Sequence, residues 1–515
     1  MKLGELLAVL GKREALPPEW RDRAVSDIAH DSRKVRPGSL FVAVRGFHSD
    51  GHQFISQALK LGAAAIIAEE SGGQTAGDVP LIIVNDSRRA LALLADAFYG
   101  HPSRTLSLIG ITGTNGKTTT TYLVKSMIEA GGRIAGLIGT IDYRVGNTIY
   151  QAPNTTPESL ELQHLLAEMV AAGADSCVME VSSHALALDR TLGCTFAAAA
   201  FTNLSQDHLD FHRTMDDYFQ AKLRLFTGLP PEAHAIINAD DAYAAKIIGQ
   251  TRAKVITTGF ADRADVRPTG AISHGIGGLS FEAATPRGAV SVESPLVGRH
   301  NIYNILTALG IGTAMGFSPE ILGRGIRNMK AVPGRMEKVD AGQPFGVVVD
   351  YAHTEDAIAR LLEAIREVAA KRVITVFGCG GDRDRTKRPK MGAAAVAGSD
   401  IVIVTSDNPR TEDPLEIIRE IETGMAGSGT RTRIAAGATF PAISGKTPYT
   451  VIPDRREAVA AAIRMARPGD VVVLAGKGHE DYQIIGEQKL PFDDRAVARE
   501  AIIRCNAECG VRNAE

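Results

Sequence analysis

The segment Leu106-Ser107-Leu108-Ile109-Gly110-Ile111-Thr112-Gly113-Thr114-Asn115-Gly116-Lys117-Thr118 constrains this chain more than any other. An apolar run of strand length ends in a glycine-rich turn, which opens directly into a helical stretch at about 118–130. Strand, loop and helix in that order require a parallel sheet with right-handed crossovers. Glycines let backbone N–H groups approach phosphate oxygens, and the helix start adds positive potential. Lys117 is placed to reach the β- and γ-phosphates, and the Thr118 hydroxyl to sit on Mg2+. The general pattern puts its first glycine five residues before the Gly-Lys pair, where this chain has Ile111. The loop is therefore a shortened variant. Its nucleotide-binding candidates are Gly113, Thr114, Asn115, Gly116, Lys117, Thr118 and Thr119.

Composition narrows the rest. At roughly 150 residues per domain, 515 residues imply about three domains. The net charge of −2 argues against a nucleic-acid partner. A 44% hydrophobic and 23% charged content supplies an ordinary globular core and excludes disordered, collagen-like and coiled-coil classes. No apolar run approaches the ~18 residues of a membrane span. The opening Met1–Leu10 is broken by Glu5 and followed by Lys12-Arg13-Glu14, so it reads as a short amphipathic helix, not a signal sequence. Cys177, Cys194, Cys379, Cys505 and Cys509 are too few and scattered for a disulfide scaffold, and Cys505 and Cys509, four apart, have no His or Cys pair nearby to complete a zinc site. A reduced, cytoplasmic protein is expected.

Residues 1–100 alternate apolar runs (Leu40–Val44, Ala63–Ala68, Leu81–Val84) with helical stretches at 54–61 and 88–99, the material of a small α/β unit. His101-Pro102-Ser103 marks a boundary. Strands at 106–111, 135–139 and 177–181 then alternate with helices, while 251–297 reads as an antiparallel edge or insertion. Ala331-Val332-Pro333-Gly334 marks a second boundary, followed by strands at 346–349, 373–377, 401–405 and 471–475. The expected architecture is three consecutive α/β domains, 1–102, 103–332 and 333–515. The middle one carries a P-loop ATPase-type parallel sheet and the last is Rossmann-like.

Glu180 emerges from a parallel strand beside the phosphate loop, which suits either an Mg2+ ligand or a buried paired carboxylate. Asp207-His208-Leu209-Asp210 adds borderline and hard ligands after the apolar run 196–201, although such a histidine read alone is more usually structural. Lys222 lies four residues from both Tyr218 and Phe226, on an apolar helix stripe. A lysine there either snorkels or has altered chemistry near the nucleotide.

Gly113–Thr118, Glu180-Val181-Ser182-Ser183-His184, Asp207–Asp210, Tyr218-Phe219-Gln220-Ala221-Lys222 and His300-Asn301-Ile302-Tyr303-Asn304 recur in that order in the Mur ligases. The chain resembles that family essentially end to end. The resemblance implies an ATP-dependent ligase adding an amino acid to a UDP-muramoyl peptide of bacterial cell wall. It implies a CO2-derived carbamate on Lys222, metal binding by Thr118, Glu180, His208 and that carbamate, and adenine contact by Asn301. It also places Arg335 on the nucleotide phosphates, and Asp350 among the nucleotide-binding residues. Lys117, Glu180, His208, Lys222 and Arg335 are thus the expected catalytic set.

Four C-terminal strands each end in a polar or glycine-rich loop: Asp350–His353, Gly378–Asp384, Ser406–Arg410 and Gly476–Glu480. Ligands of parallel sheets bind outside the carboxyl ends of the strands. Gly378, Gly380 and Gly381 do not form a dinucleotide fingerprint, whose third glycine would fall at Arg383. Arg383 and Arg410 suit carboxylates, Asp407 and Glu480 suit ammonium groups, and a ligand with two of each satisfies all four. From residues alone, Asp407-Asn408-Pro409 also suits a turn before a helix capped near Asp413-Pro414. Asp407–Arg410 resembles the signature of family members that add meso-2,6-diaminopimelate, with Asn408, Pro409 and Gly476 completing the pocket.

By the same resemblance, Ser32, Phe47, His48 and Ser49 contact the uridine portion, and Asn154, Thr155, Thr156, Ser182 and Arg190 the muramoyl peptide. Read alone, Asn154–Pro157 also suits a helix N-cap. Leu188 stands where some relatives carry glutamine. The expectation is a monomer joining meso-2,6-diaminopimelate to UDP-N-acetylmuramoyl-L-alanyl-D-glutamate with ATP and Mg2+. The alternative is the same chemistry with L-lysine.

Overall fold

The computed structural model describes residues 1–46, 49–70, 78–431 and 447–512. Two compact units divide the chain. One comprises Met1–Pro268, Ala284–Val290 and Tyr303–Gly325; the other comprises Thr269–Ala283, Ser291–Ile302 and Ile326–Glu515.

The first unit contains two parallel arrangements. A four-stranded sheet takes Asp27–Ala29, Ser39–Val42, Ala65–Ala68 and Leu81–Ile83 in sequence order, every pair parallel. The short opening helix Leu3–Leu7 buries Leu3, Leu6 and Leu7 in its core, as its amphipathic pattern predicts. The second sheet has eight strands in the spatial order Lys254–Thr258, His234–Asn238, Ala198–Phe201, Ser107–Thr112, Ser176–Glu180, Ala135–Ile138, Asp142–Val145 and Thr148–Gln151. The first six run parallel; Asp142–Val145 pairs antiparallel with Ala135–Ile138, and Thr148–Gln151 antiparallel with Asp142–Val145.

Parallel strands are covered on both faces, hence the unbroken apolar composition of Cys177-Val178-Met179 and Ala198–Phe201, all buried. Phe201 meets Phe226 of the helix Met215–Thr227 edge-to-face at 6.4 Å. Burying one such ring contributes ~2–3 kcal/mol.

Strand order decides the site. Ser107–Thr112 lies between Ala198–Phe201 and Ser176–Glu180, with Ile111 opposite Glu180 and Thr112 opposite Phe201. Three strand ends therefore deliver the phosphate loop, Glu180 and the Thr202-Asn203 turn to one edge.

The expectation for 251–297 is corrected in part. Lys254–Thr258 is a parallel edge strand of the large sheet. Arg267–Gly275, Gly278–Thr285 and Gly288–Ser294 form a separate three-stranded sheet joined by two-residue connections, which only antiparallel neighbours allow. The hairpin Asp142–Val145 with Thr148–Gln151 has no counterpart in the sequence reading. Its second strand is exposed throughout, so no apolar run marks it.

The second unit is built on seven strands in the order Glu337–Lys338, Gly346–Asp350, Val471–Ala475, Val373–Phe377, Ile401–Val404, Thr447–Val451 and Gly429–Arg431. All pairs are parallel except the first. Glu355–Arg366, Lys387–Gly398 and Pro414–Met425 pack on one face, and Arg455–Met465 and Asp494–Arg512 on the other. Asp413 caps Pro414–Met425 through the Leu415 N–H, so the Asp407–Pro409 turn does lead into a helix capped where its sequence suggests. Among the described residues, no helix is long and apolar enough to cross a membrane. Cys177, Cys194, Cys379 and Cys505 are free thiols.

Candidate functional site

Gly113 and Gly116 shape the phosphate loop, at φ of 150° and 86°. Gly116 is the left-handed N-cap of the helix Lys117–Ala130. A Cβ at Gly113 would collide with Thr202 Oγ1, and one at Gly116 with Asn304 Oδ1. The loop is clamped from the next strand end: the Thr202 hydroxyl donates to the Asn115 carbonyl at 2.6 Å, and the Asn115 N–H donates to Asn203 Oδ1 at 3.0 Å. Thr118 and Thr119 lie buried in the first helical turn. Lys117 folds back over its own loop, donating to the carbonyls of Gly113 (3.0 Å) and Thr114 (2.8 Å).

Lys222 reaches the same loop from the helix Met215–Thr227. It is 1% exposed, so it does not snorkel. Its Nζ donates to the Gly113 carbonyl at 2.8 Å and lies 4.5 Å from the Tyr218 ring centre. Burial, then the Lys117 ammonium, push its amine well below the usual lysine range. His208, at φ 52°, sits 6.0 Å from the Tyr218 ring, and burial lowers its pKa. Beside it, His184 packs against His208, Phe211 and His212, and burial followed by those two imidazoles pushes it down to about 4.

Glu180 is 1% exposed and accepts from the Thr140 N–H (2.8 Å) and hydroxyl (3.1 Å), both neutral donors. The Thr118 hydroxyl and the Glu180 carboxylate are hard oxygen donors of the kind Mg2+ takes, and the loop N–H groups and Lys117 suit phosphate oxygens. These residues fit a magnesium nucleotide. Among the described residues, no three His, Cys, Asp or Glu side chains converge as a metal cluster by themselves.

Around the end of Ser176–Glu180 the proposed peptide contacts also assemble. The Thr156 hydroxyl donates to the Glu180 carbonyl (2.9 Å) and accepts from the Ser182 N–H (3.0 Å). The Thr155 and Thr140 hydroxyls are 3.1 Å apart. Arg190 donates to the Thr156 carbonyl (2.8 Å) and pairs with Glu158, while the Asn154 carbonyl accepts from Tyr143. The N-cap reading of Asn154–Pro157 is corrected: the N-cap position of Ser159–Ala171 is Glu158, which makes no side-chain cap bond, and Thr156 instead ties the strand end. Ser32 is buried and donates to Gln57, and the Ser49 carbonyl accepts from Gly46. Phe47 and His48 lie outside the described residues.

In the second unit, Asn301 is buried and donates to the Val297 carbonyl at 2.7 Å. The Arg335 guanidinium lies 5.4 Å over the Tyr351 ring, and Asp350 accepts from the backbone N–H groups of Met336 and Ala352. The strand-end loops of this unit converge as well. Arg410, at φ 51°, donates to the Gly381 carbonyl at 2.8 Å, and its backbone N–H donates to the Ile484 carbonyl of the hairpin Tyr482–Pro491. A Cβ on Gly380 would stand 3.0 Å from Arg410 Nη1 and 3.9 Å from Arg383 Cγ; one on Gly381 would overlap the Pro409 carbonyl. Asn408 donates to Glu480 at 2.9 Å, and Asp407 lies beside Gly476.

Three domain profiles match: the Mur ligase family catalytic domain over 24–99, the middle domain over 111–312 and the glutamate ligase domain over 334–478. The chain belongs to the Mur ligase family. Among the relatives of this Mur ligase is the UDP-N-acetylmuramoyl-L-alanyl-D-glutamate--2,6-diaminopimelate ligase of Solibacter usitatus, 46% identical over 98% of each chain. The ligase of the same name from Geobacillus thermodenitrificans is also 46% identical, over 98% of this chain and 99% of that one. A solved structure of a ligase of that name, 33% identical, superposes with a TM-score of 0.72 over 98% of this chain and 100% of the other.

Thr140 and Thr202, which bond to Glu180 and the phosphate loop, escape the sequence reading, and Asn203 and Lys477 appear in it only inside longer runs without a role. Asn304 is visible only as the end of the His300–Asn304 motif. Each acts across the sheet, where local periodicity carries no signal.

Proposed function

We propose that this Mur ligase joins meso-2,6-diaminopimelate to UDP-N-acetylmuramoyl-L-alanyl-D-glutamate, cleaving ATP to ADP and phosphate. The observation that carries the amino-acid choice is Arg410, held against Gly381 beside Asp407, Asn408 and Glu480. A guanidinium in that place receives a second carboxylate, which lysine lacks. The names of the relatives point to the same acid.

The glutamyl carboxylate displaces ADP from the γ-phosphorus, giving an acyl phosphate. A neutral amine of diaminopimelate then attacks the acyl carbon; the C–N bond forms, the C–O bond to phosphate breaks and a proton leaves. In this reading Lys117 and the loop N–H groups offset phosphoryl charge, and Arg335 would contact the nucleotide phosphates. Thr118, Glu180, His208 and a carbamate on Lys222 would hold Mg2+, which supplies charge neutralisation and orientation. Burial and the Lys117 ammonium favour the neutral form of the Lys222 amine, which is the form that attacks CO2, losing one proton as the N–C bond forms. Asn301 takes the adenine, and Thr155, Thr156, Ser182 and Arg190 the peptide. The enzyme works in the reduced cytoplasm.

The test is phosphate release from ATP and Mg2+ with the UDP-muramoyl dipeptide, comparing meso-diaminopimelate with L-lysine. Release with diaminopimelate alone is expected. Release with lysine alone overturns the role of Arg410, and release with neither overturns the reaction.

A further inference from the structure

Lys477 is a lysine with no exposed surface, set between two positive-φ glycines, Gly476 at φ 113° and Gly478 at φ 55°. A Cβ on Gly478 would stand 2.6 Å from Tyr351 Cβ, so the backbone is clamped and the side chain is directed inward. Its Nζ donates to Asn408 Oδ1 (3.0 Å) and the Tyr482 carbonyl (2.7 Å), and pairs with Asp407 (3.1 Å) and Glu480 (3.3 Å). One ammonium therefore ties together the Asp407–Arg410 loop, the Gly476–Glu480 loop and the base of the hairpin Tyr482–Pro491.

Two consequences follow for a ligand. Asn408 Oδ1 accepts from both Lys477 and the Ile484 N–H, and its amide nitrogen donates to Glu480, so the side chain keeps one N–H for anything else. Asp407 and Glu480, with side chains only 9% and 16% exposed, carry two negative charges, of which Lys477 offsets one. One negative charge remains.

We propose that Lys477 is the positioning residue of the amino-acid pocket: it fixes Asp407, Asn408 and Glu480 and sets their charge to hold a single ammonium, leaving the second amine of the ligand neutral for attack. This rests on the reaction proposed above. An ammonium suits the place because its three donors radiate to separate acceptors, which a planar guanidinium does not.

The test reads steady-state constants for the amino acid and for ATP in Lys477→Gln and Lys477→Arg. In Lys477→Gln the amino-acid KM should rise about tenfold or more, as expected for a lost charge-assisted contact, with the ATP KM unchanged. Without the cation, the adjacent Asp407 and Glu480 carboxylates are no longer offset, and the loss falls on the amino acid and not on ATP.

Lys477→Arg retains the charge but not the geometry, so its amino-acid KM should rise by less than that of Lys477→Gln. It also carries the test independently of any folding loss in the glutamine variant. Unchanged amino-acid KM in either folded variant, equal changes in the amino-acid and ATP KM values, or a rise in Lys477→Arg as large as in Lys477→Gln overturns the proposal. Absence of diaminopimelate-dependent phosphate release by the unaltered enzyme overturns the reaction and this proposal together, so the two failures are told apart.

Discussion

Lys117 and Lys222 donate to the same carbonyl oxygen, that of Gly113, at 3.0 and 2.8 Å. One belongs to the loop itself and the other arrives from a helix more than a hundred residues later. Two amines on one acceptor repel as ammonium ions, and burial adds to the pressure on Lys222 to be neutral. The phosphate loop is thereby coupled to an amine ready for reaction.

Lys222→Met should abolish turnover, by at least about 100-fold if the group holds a catalytic cation, with partial rescue by acetate. The same variant should melt a few degrees higher in CO2-depleted buffer. The folded-state pKa of Lys222 lies below its unfolded value, so the unfolded chain binds more protons and stability falls as pH drops through that window. The Tm advantage of the methionine variant should therefore grow from pH 10 toward pH 7. Full activity, measured by ADP release, would end the carbamate reading.

Gly116→Ala adds a left-handed alanine, costing ~1–2 kcal/mol, and a Cβ that strikes Asn304 Oδ1. ADP affinity by titration calorimetry should fall at least tenfold. Adding Asn304→Ala removes the collision but not the backbone strain, so recovery should be partial. Full recovery would mean that φ at this position is immaterial.

Arg410→Ala should raise the KM for meso-diaminopimelate about 10- to 100-fold, the effect of losing ~1.5–3 kcal/mol of charged hydrogen bonding. The ATP KM should stay within twofold. If neither constant moves, the distal carboxylate binds elsewhere.

His184 is held near a pKa of about 4 against an ordinary 6.5, so it is neutral in the folded protein at pH 7. The unfolded state binds the extra proton between those values, and stability falls as pH drops from about 6.5 to 4. His184→Phe keeps a ring against His208, Phe211 and His212 and should reduce the loss of urea midpoint between pH 7.5 and pH 5. An unchanged loss would assign the acid sensitivity to other groups.

The sequence by itself determined the parallel α/β character, because strands buried on both faces read as unbroken apolar runs such as Ile401–Val404. The phosphate loop was equally legible, since its glycines, lysine and helix start are contiguous. Lys222 stood out because a lysine on an apolar stripe breaks the local pattern. The hairpin strand Thr148–Gln151 was invisible, for it buries nothing. Only the tertiary structure decided what Lys477, Thr140, Thr202 and Asn304 do. Lys477 reads in sequence as a loop lysine between glycines, yet Asp407 and Asn408 lie about seventy residues away and meet it only because their strands end at one edge. Strand order is set by packing the whole sheet, and a contact that depends on it leaves no periodic trace along the chain.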